Sequence, residues 1–291
     1  MKRFVVFTIS NLLLFGACFA QVLTVGSYNI RYKNKNDSII GNAWEVRCPS
    51  ICNQILWEQP DIFGAQEVLF PQMSDMEKGL RGRYKYIGVG RDDGKQKGEY
   101  AAIFYNPERV ELIEDGHFWL SETPDRPALG WDAACVRICT WGHFRDRQTK
   151  KDFYFLNLHM DHVGVVARSE SAKLVMKRIT KMTNGGEKLA VLTGDFNVSQ
   201  EDDLYRLFTE TGVLKDSFTE ADIRFAENGT YNGFDYHYYT TEHIDHIFVT
   251  PSTKVDAFAV RTDGRWQPGM CDQMMRYNLS DHYPIFARIR F

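Results

Sequence analysis

Six oxygen-bearing side chains in this chain lie beside short apolar runs: Asn29, Glu67, Asp195, Asn197, Asp245 and Asp281. Three histidines accompany them, His159, His246 and His282. Most of the set falls in four strings: Gln66-Glu67-Val68, Gly194-Asp195-Phe196-Asn197, Ile244-Asp245-His246-Ile247-Phe248 and Ser280-Asp281-His282-Tyr283-Pro284. Cutting a phosphate ester in water needs a hard cation on the phosphate oxygens, a base for the water, and donors for the developing charge. Mg2+ takes one or two carboxylates and leaves its other positions to water and substrate. The oxygen donors suit such a cation, and the histidines suit the proton work. Singly, Asp and Asn at strand ends are explained by their turn preference. Four such strings in one chain, joined by Asn29 and His159, point to one site.

A site of this kind needs strands that end together, because open α/β sheets build their sites at strand ends. Alternating or continuous apolar runs predict strands at 22–30, 61–65, 84–89, 101–105, 110–120, 134–144, 152–159, 189–193, 244–249, 255–260 and 284–289. Helical spacing predicts helices at 44–57, 71–80, 169–182 and 202–210. Strands outnumber what simple βα alternation would give. The pattern predicts an α/β (α+β) fold, a four-layer sandwich of two mixed β-sheets packed face to face with helices outside. His246 follows Asp245 within a strand and so faces the other way, which makes it structural. Arg91 lies in a polar, Gly-punctuated loop and Arg168 at the start of the 169–182 helix. Both are candidate phosphate contacts, since arginine suits paired bonds to phosphate.

Of the 291 residues, the first 20 read as an export signal: Met1-Lys2-Arg3 is followed by an apolar block to Ala17. Cleavage after Ala20 leaves a single domain over 21–291, exported to the periplasm or secreted. Lipid anchoring through Cys18 is the less favoured alternative, because Phe15 is a poor match to the residue usual there. The 44% apolar and 25% charged fractions are those of a globular protein. A net charge of −3 speaks against a general grip on nucleic acid while leaving room for a local basic patch. Cys48 and Cys52 are four apart, as are Cys135 and Cys139, without the partners of a zinc pattern. Small buried thiols are the expectation, and spacing assigns no disulfide. Trp131 and Trp266 lie in Gly/Pro-rich surroundings and are expected to be the exposed tryptophans.

The strings resemble those of the endonuclease/exonuclease/phosphatase superfamily, the DNase I-like hydrolases. The resemblance runs from Ser27-Tyr28-Asn29 to Asp281-His282, with 194–197 and 280–282 its most specific pieces. Asn157-Leu158-His159-Met160-Asp161-His162 is similar to a string of secreted bacterial members related to carbon-catabolite-repression-type deadenylases. The resemblance implies that Glu67 is the principal Mg2+ ligand, with Asn29 beside it and Asp281 completing the shell, Mn2+ being a substitute. It implies that His282 is the catalytic histidine and that Asp245 holds its ring. Asp195 would position or activate water, and Asn197 and His159 would donate to phosphate oxygens. The division of proton work between Asp195 and His282 stays open.

The activity implied is a Mg2+-dependent phosphodiesterase acting on nucleic acid, nucleotide or another small phosphodiester. The alternative is a phosphatase for a lipid head group or an inositol or sugar phosphate. A third reading, a non-catalytic binding protein on the same scaffold, is opposed by the intact residue set. A monomer with no obligate protein partner is expected.

Overall fold

The computed structural model describes residues 22–268 and 273–291, so the export-signal expectation for 1–20 lies outside the described residues. In chain order the first elements are β1 (Leu23–Asn29), α1 (Lys35–Ile39), α2 (Trp44–Glu58), β2 (Ile62–Val68), α3 (Phe70–Gly79), β3 (Lys85–Ile87) and β4 (Tyr100–Tyr105). Next come β5 (Val110–Trp119), β6 (Ile138–Asp146), β7 (Asp152–His159), α4 (Val165–Thr183) and β8 (Leu189–Asp195). A 3₁₀ turn at Asp203–Tyr205 leads into α5 (Arg206–Thr209), β9 (Lys215–Asp216), α6 (Ser217–Glu220) and β10 (Ile223–Phe225). The chain closes with β11 (Asp245–Val249), β12 (Lys254–Val260), β13 (Gly264–Pro268), β14 (Met274–Asn278) and β15 (Ile285–Arg290).

Two large mixed sheets result. One has the order β10-β12-β15-β1-β2-β4-β3, the other β5-β6-β7-β8-β11-β9, and β13-β14 is a separate hairpin. Period-two alternation sorts their side chains. Val25, Ile62 and Ile103 from the first sheet meet Phe155, Val191 and Ile247 from the second in the central core. On the outer face of the first sheet, Tyr28, Phe63 and Phe104 pack with Trp44, Ile51 and Ile55 of α2 and Met73 and Met76 of α3. On the outer face of the second, Leu156, Leu192 and Phe248 pack with Val175 and Ile179 of α4 and Phe208 of α5. The expected sandwich, sheet against sheet with helices outside, is the architecture found.

A buried polar bridge fixes the two sheets to one another directly behind the strand ends. Asn157 of β7 donates through Nδ2 to Ala65 O (3.1 Å) and Ala102 O (2.8 Å) of the first sheet. Its Oδ1 accepts from Gln66 Nε2 (2.6 Å) and Thr193 Oγ1 (3.2 Å). Gln66 Nε2 also donates to Ser27 Oγ (3.0 Å). Gly64 opposite makes room for this: a Cβ there would lie 2.3 Å from Asn157 Oδ1 and 2.5 Å from Thr193 Oγ1. Each donor and acceptor of the Asn157 amide thus has a partner in the interior, as burial requires.

Some expected elements shift, each for a local reason. The 134–144 strand begins only at Ile138, because the Asp161 carboxylate draws Ala134 N and Cys135 N away from a strand ladder. The 61–65 strand runs on to Val68, with Glu67 inside it. The 202–210 helix breaks into the 3₁₀ turn and α5. The helix expected from 169 begins at Val165, so Arg168 lies within its first turn. Short elements that present too little apolar pattern to read (α1, β9, α6, β10 and the β13-β14 hairpin) went unpredicted. Cys48, Cys52, Cys135 and Cys139 are free thiols, Cys48 Sγ and Cys52 Sγ lying 3.9 Å apart. Trp266 is exposed as expected and Trp131 is half-buried, whereas Trp57 on α2 is the most exposed tryptophan, at 79%.

Candidate active site

Two parallel pairs bring the chemistry together. β1 runs parallel to β2, and β7 parallel to β8. Their carboxyl ends carry Asn29, Glu67, His159 and Asp195. β11 runs antiparallel to β8 and begins at the same end, with Asp245 opposite Asp195. The turn before β15 adds Asp281 and His282 there. The strand ends enclose a cavity of about 510 Å³, with Glu67, Asp281, Asp195, Asn197, His159 and His282 in its wall. Asn29 and Asp245 lie just behind that wall.

Strand alternation alone would have turned Glu67 away from this end, since Gln66 already faces the interior. A left-handed backbone at Glu67, φ 62°, breaks the pairing register between Ala65 and Val68 and re-aims the side chain. Such a conformation costs about 1–3 kcal/mol in a non-glycine residue and persists where neighbours hold it. Here Asn29 Nδ2 donates to Glu67 Oε1 (3.0 Å) and Tyr32 N to Glu67 Oε2 (3.1 Å).

Asn29 does more than flank Glu67. Its amide nitrogen also donates to Asp195 Oδ2 (2.9 Å), and its oxygen accepts from Arg31 N (3.0 Å). It links the two carboxylates and shows them its donor side. Arg31, another left-handed residue (φ 59°), lies two positions beyond the end of β1. Its guanidinium pairs with Asp37 (2.9 Å) and reaches Asp281 Oδ2 (3.2 Å) and Glu67 Oε2 (4.0 Å). One guanidinium nitrogen lies within reach of both carboxylates, so a cation placed between them would meet two hard oxygen donors. That donor set fits Mg2+ or Mn2+. Glu67, His159 and Asp195 also offer ligand atoms all within 4.8 Å of one another, as do Asp195, Asp245 and His282. In the second group the His282–Asp245 hydrogen bond already engages one oxygen and one ring nitrogen.

The histidine pair is well defined. His282 Nδ1 bonds Asp245 Oδ2 at 2.8 Å, which leaves Nε2 facing Asp195 Oδ2 at 3.6 Å. Asp245 is held from behind by Thr230 Oγ1, which accepts from Asp245 N (3.1 Å) and Ile244 N (3.0 Å). Burial opposes the charge on His282, but Asp245 and Asp195 outweigh it and raise its pKa well above the usual histidine value. Asp195 is pushed up to about 7 by burial and by Asp245 and Glu67, while His282 and Asn29 pull the other way. His159, 3.4 Å from Asp195 through Nε2, is held neutral by burial and by Arg137 and Arg91. Burial and Glu67 raise Asp281, against the pull of His282 and Arg31. Asn197, left-handed at φ 49°, takes Asp195 Oδ1 on its backbone N–H (3.0 Å) and spends one amide hydrogen on Met160 O (3.0 Å). One amide hydrogen is left to donate elsewhere.

Other expected residues separate clearly. His246 bonds Asp216 Oδ2 (3.3 Å) and Val198 O (2.9 Å) on the far face of β11 and is structural. Arg91 lines the cavity and is paired with Glu99 Oε2 at 2.6 Å. The structure does not bring Arg168 to the cavity wall: its Nη1 donates to Asp161 O (3.0 Å), tying the first turn of α4 to the preceding loop. Asp161 accepts from Ala134, Cys135, Val163 and Gly164 N–H groups and is a loop organiser. Those bonds, with Arg137 beside it, outweigh the cost of burial and hold its carboxyl well below the usual range.

Sequence reasoning missed several residues of the wall. Arg31 lies two positions past the end of β1 in a left-handed backbone, which strand alternation does not mark. Glu99, Arg137 and Tyr231 come from loops and strand starts whose local sequence carries no pattern, whereas His162, in the string that ends Asp161-His162, could be read as lining the site and does so. Arg47 was hidden as an ordinary helical arginine. It is fully buried on α2 and donates to Ile30 O (2.7 Å), Asn42 O (2.9 Å), Leu279 O (3.0 Å) and Arg31 O (3.1 Å). It thereby joins the segment after β1 to the turn carrying Asp281 and His282.

Residues 26–282 match the sequence model of the Endonuclease/Exonuclease/phosphatase family. The mannosyl-6-phosphatase of Bacteroides thetaiotaomicron VPI-5482 is 47% identical, with a TM-score of 0.89 over 92% of this chain and 100% of that one. Another solved structure from Bacteroides thetaiotaomicron, of an endonuclease/exonuclease/phosphatase family protein, is 46% identical, with a TM-score of 0.90 over 92% of this chain and 98% of that one. An uncharacterised protein of Acanthamoeba polyphaga mimivirus is 31% identical over 164 residues, which are 54% of this chain and 60% of that protein.

Proposed function

We propose the following for this chain, which belongs to the endonuclease/exonuclease/phosphatase family: it is a Mg2+-dependent phosphatase that removes the phosphate monoester from a sugar phosphate. The observation that carries the proposal is the composition of the cavity. The cavity is lined by Glu67, Asp281, Asp195 and His282, and also by two arginines that are charge-paired, Arg91 with Glu99 (2.6 Å) and Arg137 with Asp161 (3.6 Å). Paired charges bond sugar hydroxyls from both donor and acceptor sides, whereas a phosphodiester backbone calls for unpaired cations. The 47% identical mannosyl-6-phosphatase supports the same substrate class.

Glu67 and Asp281 would hold the Mg2+, which would neutralise the phosphate oxygens. The remaining work falls to side chains. Asp195, poised near neutral pH, takes the proton of the attacking water as the oxygen–phosphorus bond forms. His282, kept protonated by Asp245, presents its Nε2–H to the charge growing on phosphate. Asn197 and neutral His159 donate to the other oxygens. Asn29 fixes the spacing of Glu67 and Asp195. The sugar oxygen leaves with the phosphorus–oxygen bond electrons, and its proton comes from His282 or water.

This reading and the phosphodiesterase expected from the sequence share every one of these groups and part only at the second ester. Purified protein is assayed with Mg2+ against mannose 6-phosphate and against bis(p-nitrophenyl) phosphate. A kcat/KM at least tenfold higher on the monoester supports the phosphatase. The reverse preference returns the assignment to the phosphodiesterase.

A further inference from the structure

Between β10 and β11 runs a loop with four exposed tyrosines. Tyr231, Tyr236, Tyr238 and Tyr239 are 42%, 39%, 46% and 66% exposed. Rings left in water in such a cluster mark a binding surface more often than a fold requirement. The loop is fastened to the catalytic turn: Asn232 N and Gly233 N both donate to Asp281 O, at 2.8 and 3.1 Å. Tyr231 also forms a β-bridge with His282 and closes across it edge-on, ring centroids 5.2 Å apart. Tyr238 comes next, 6.4 Å beyond Tyr231. Tyr231 is thus part of the cavity wall, and Tyr238 lies one ring further, outside that wall.

Charge selects among ligands that stack on tyrosine. From residue 225 to 253 the chain has no lysine or arginine, while Glu227, Asp235 and Glu242 are acidic. A single-stranded nucleic acid needs a positive groove along its backbone as well as aromatic platforms. This loop gives the platforms and repels the backbone. A neutral sugar has an apolar face for the ring and hydroxyls for the flanking polar groups, and carries no charge to be repelled.

Resting on the sugar-phosphate reading above, we propose that Tyr231 and Tyr238 form a carbohydrate subsite that takes the sugar attached to the phosphorylated one. Tyr231 faces the phosphorylated sugar and Tyr238 stacks on its neighbour. The preferred substrate is then a phosphorylated oligosaccharide or glycoside, not the free sugar phosphate.

The test compares kcat/KM for mannose 6-phosphate with that for a disaccharide bearing the 6-phosphate on its non-reducing mannose, in the wild type, Tyr238→Ala and Tyr238→Phe. One stacking contact should favour the disaccharide by about tenfold in the wild type. Tyr238→Ala should bring the ratio near one, and Tyr238→Phe, which keeps the ring, should restore it. Near-UV circular dichroism confirms that each variant is folded. Hydrolysis of both sugars with a wild-type ratio near one, or a ratio unmoved by Tyr238→Ala, overturns the subsite and leaves the phosphatase standing. No Mg2+-dependent release from either sugar overturns the phosphatase and the subsite with it. A short single-stranded oligonucleotide cleaved in preference to both, with Tyr238→Ala abolishing that preference, assigns the rings to bases and overturns the proposal.

Discussion

Asp245→Asn should reduce turnover far more than it weakens substrate binding. Asp245 is 1% exposed and touches the cavity only through His282, whose Nδ1 it meets at 2.8 Å. Asparagine keeps the size and the backbone bonds to Thr230 Oγ1 but removes the charge. A hydrogen bond to a charged group contributes about 1.5–3 kcal/mol, which alone is a factor of roughly 10 to 150. A second effect adds to it. An asparagine Nδ2–H facing Nδ1 would make Nδ1 the acceptor and leave the ring neutral, so Nε2 keeps its proton but the positive charge it turns toward the phosphate is lost. Together these predict a fall in kcat of roughly 10² to 10³, with KM within about threefold of wild type. The assay is steady-state phosphate release at saturating Mg2+, with thermal denaturation to confirm folding. The imidazole should also lose its raised pKa, read by NMR of the His282 ring. A KM that rises as far as kcat falls, or an unchanged kcat in a folded protein, would refute the supporting role.

Three other outcomes follow from the geometry. Glu67→Gln should weaken Mg2+ binding, read by isothermal titration, by at least tenfold, and a wild-type affinity would place the metal elsewhere. Gly64→Ala should destabilise the fold by roughly 2 kcal/mol or more through overpacking on Asn157 and Thr193, and an unchanged melting temperature would show that the inter-sheet bridge yields freely. With EDTA present, the Asp195 contribution to stability, which the buried neutral His159 and His243 oppose, should fall as pH rises from about 4 towards 7, because folded Asp195 keeps a proton in that window that the unfolded chain has released. The stabilisation from protonated His282 is complete below about 6.5 and is lost as pH rises through its higher folded value, so the two add in sign. Asp195→Asn should flatten the lower limb, and an identical slope in that variant would contradict the assignment.

What was legible in the sequence followed the strength of its periodic signals. The long runs at β1, β7, β8 and β11 read as strands because both faces are buried, and their ends located Asn29, His159, Asp195 and Asp245. Asp281 and His282 were legible through their own string. The position of Glu67 was readable, but its aim was not, since a left-handed backbone inside a strand leaves no mark on hydrophobic alternation. Arg168 was drawn toward the site by its place near a helix start, and the nearby Asp161 carbonyl claims it instead. Arg47 and Arg137 were invisible for a common reason. Their roles depend on partners from elements distant in sequence, and a local pattern holds no record of those. The aromatic loop was passed over because its rings serve neither periodicity nor core.

The central claim is that Glu67 and Asp281 hold a divalent cation while His282 and Asp195 serve one phosphate-ester cleavage. Inorganic phosphate release from mannose 6-phosphate, measured in Mg2+ and in EDTA for wild type and His282→Ala, tests it most directly. The account predicts release by the wild type only with Mg2+, and a loss of at least roughly 10² in His282→Ala. Equal release in EDTA, or a fully active His282→Ala protein, would contradict it.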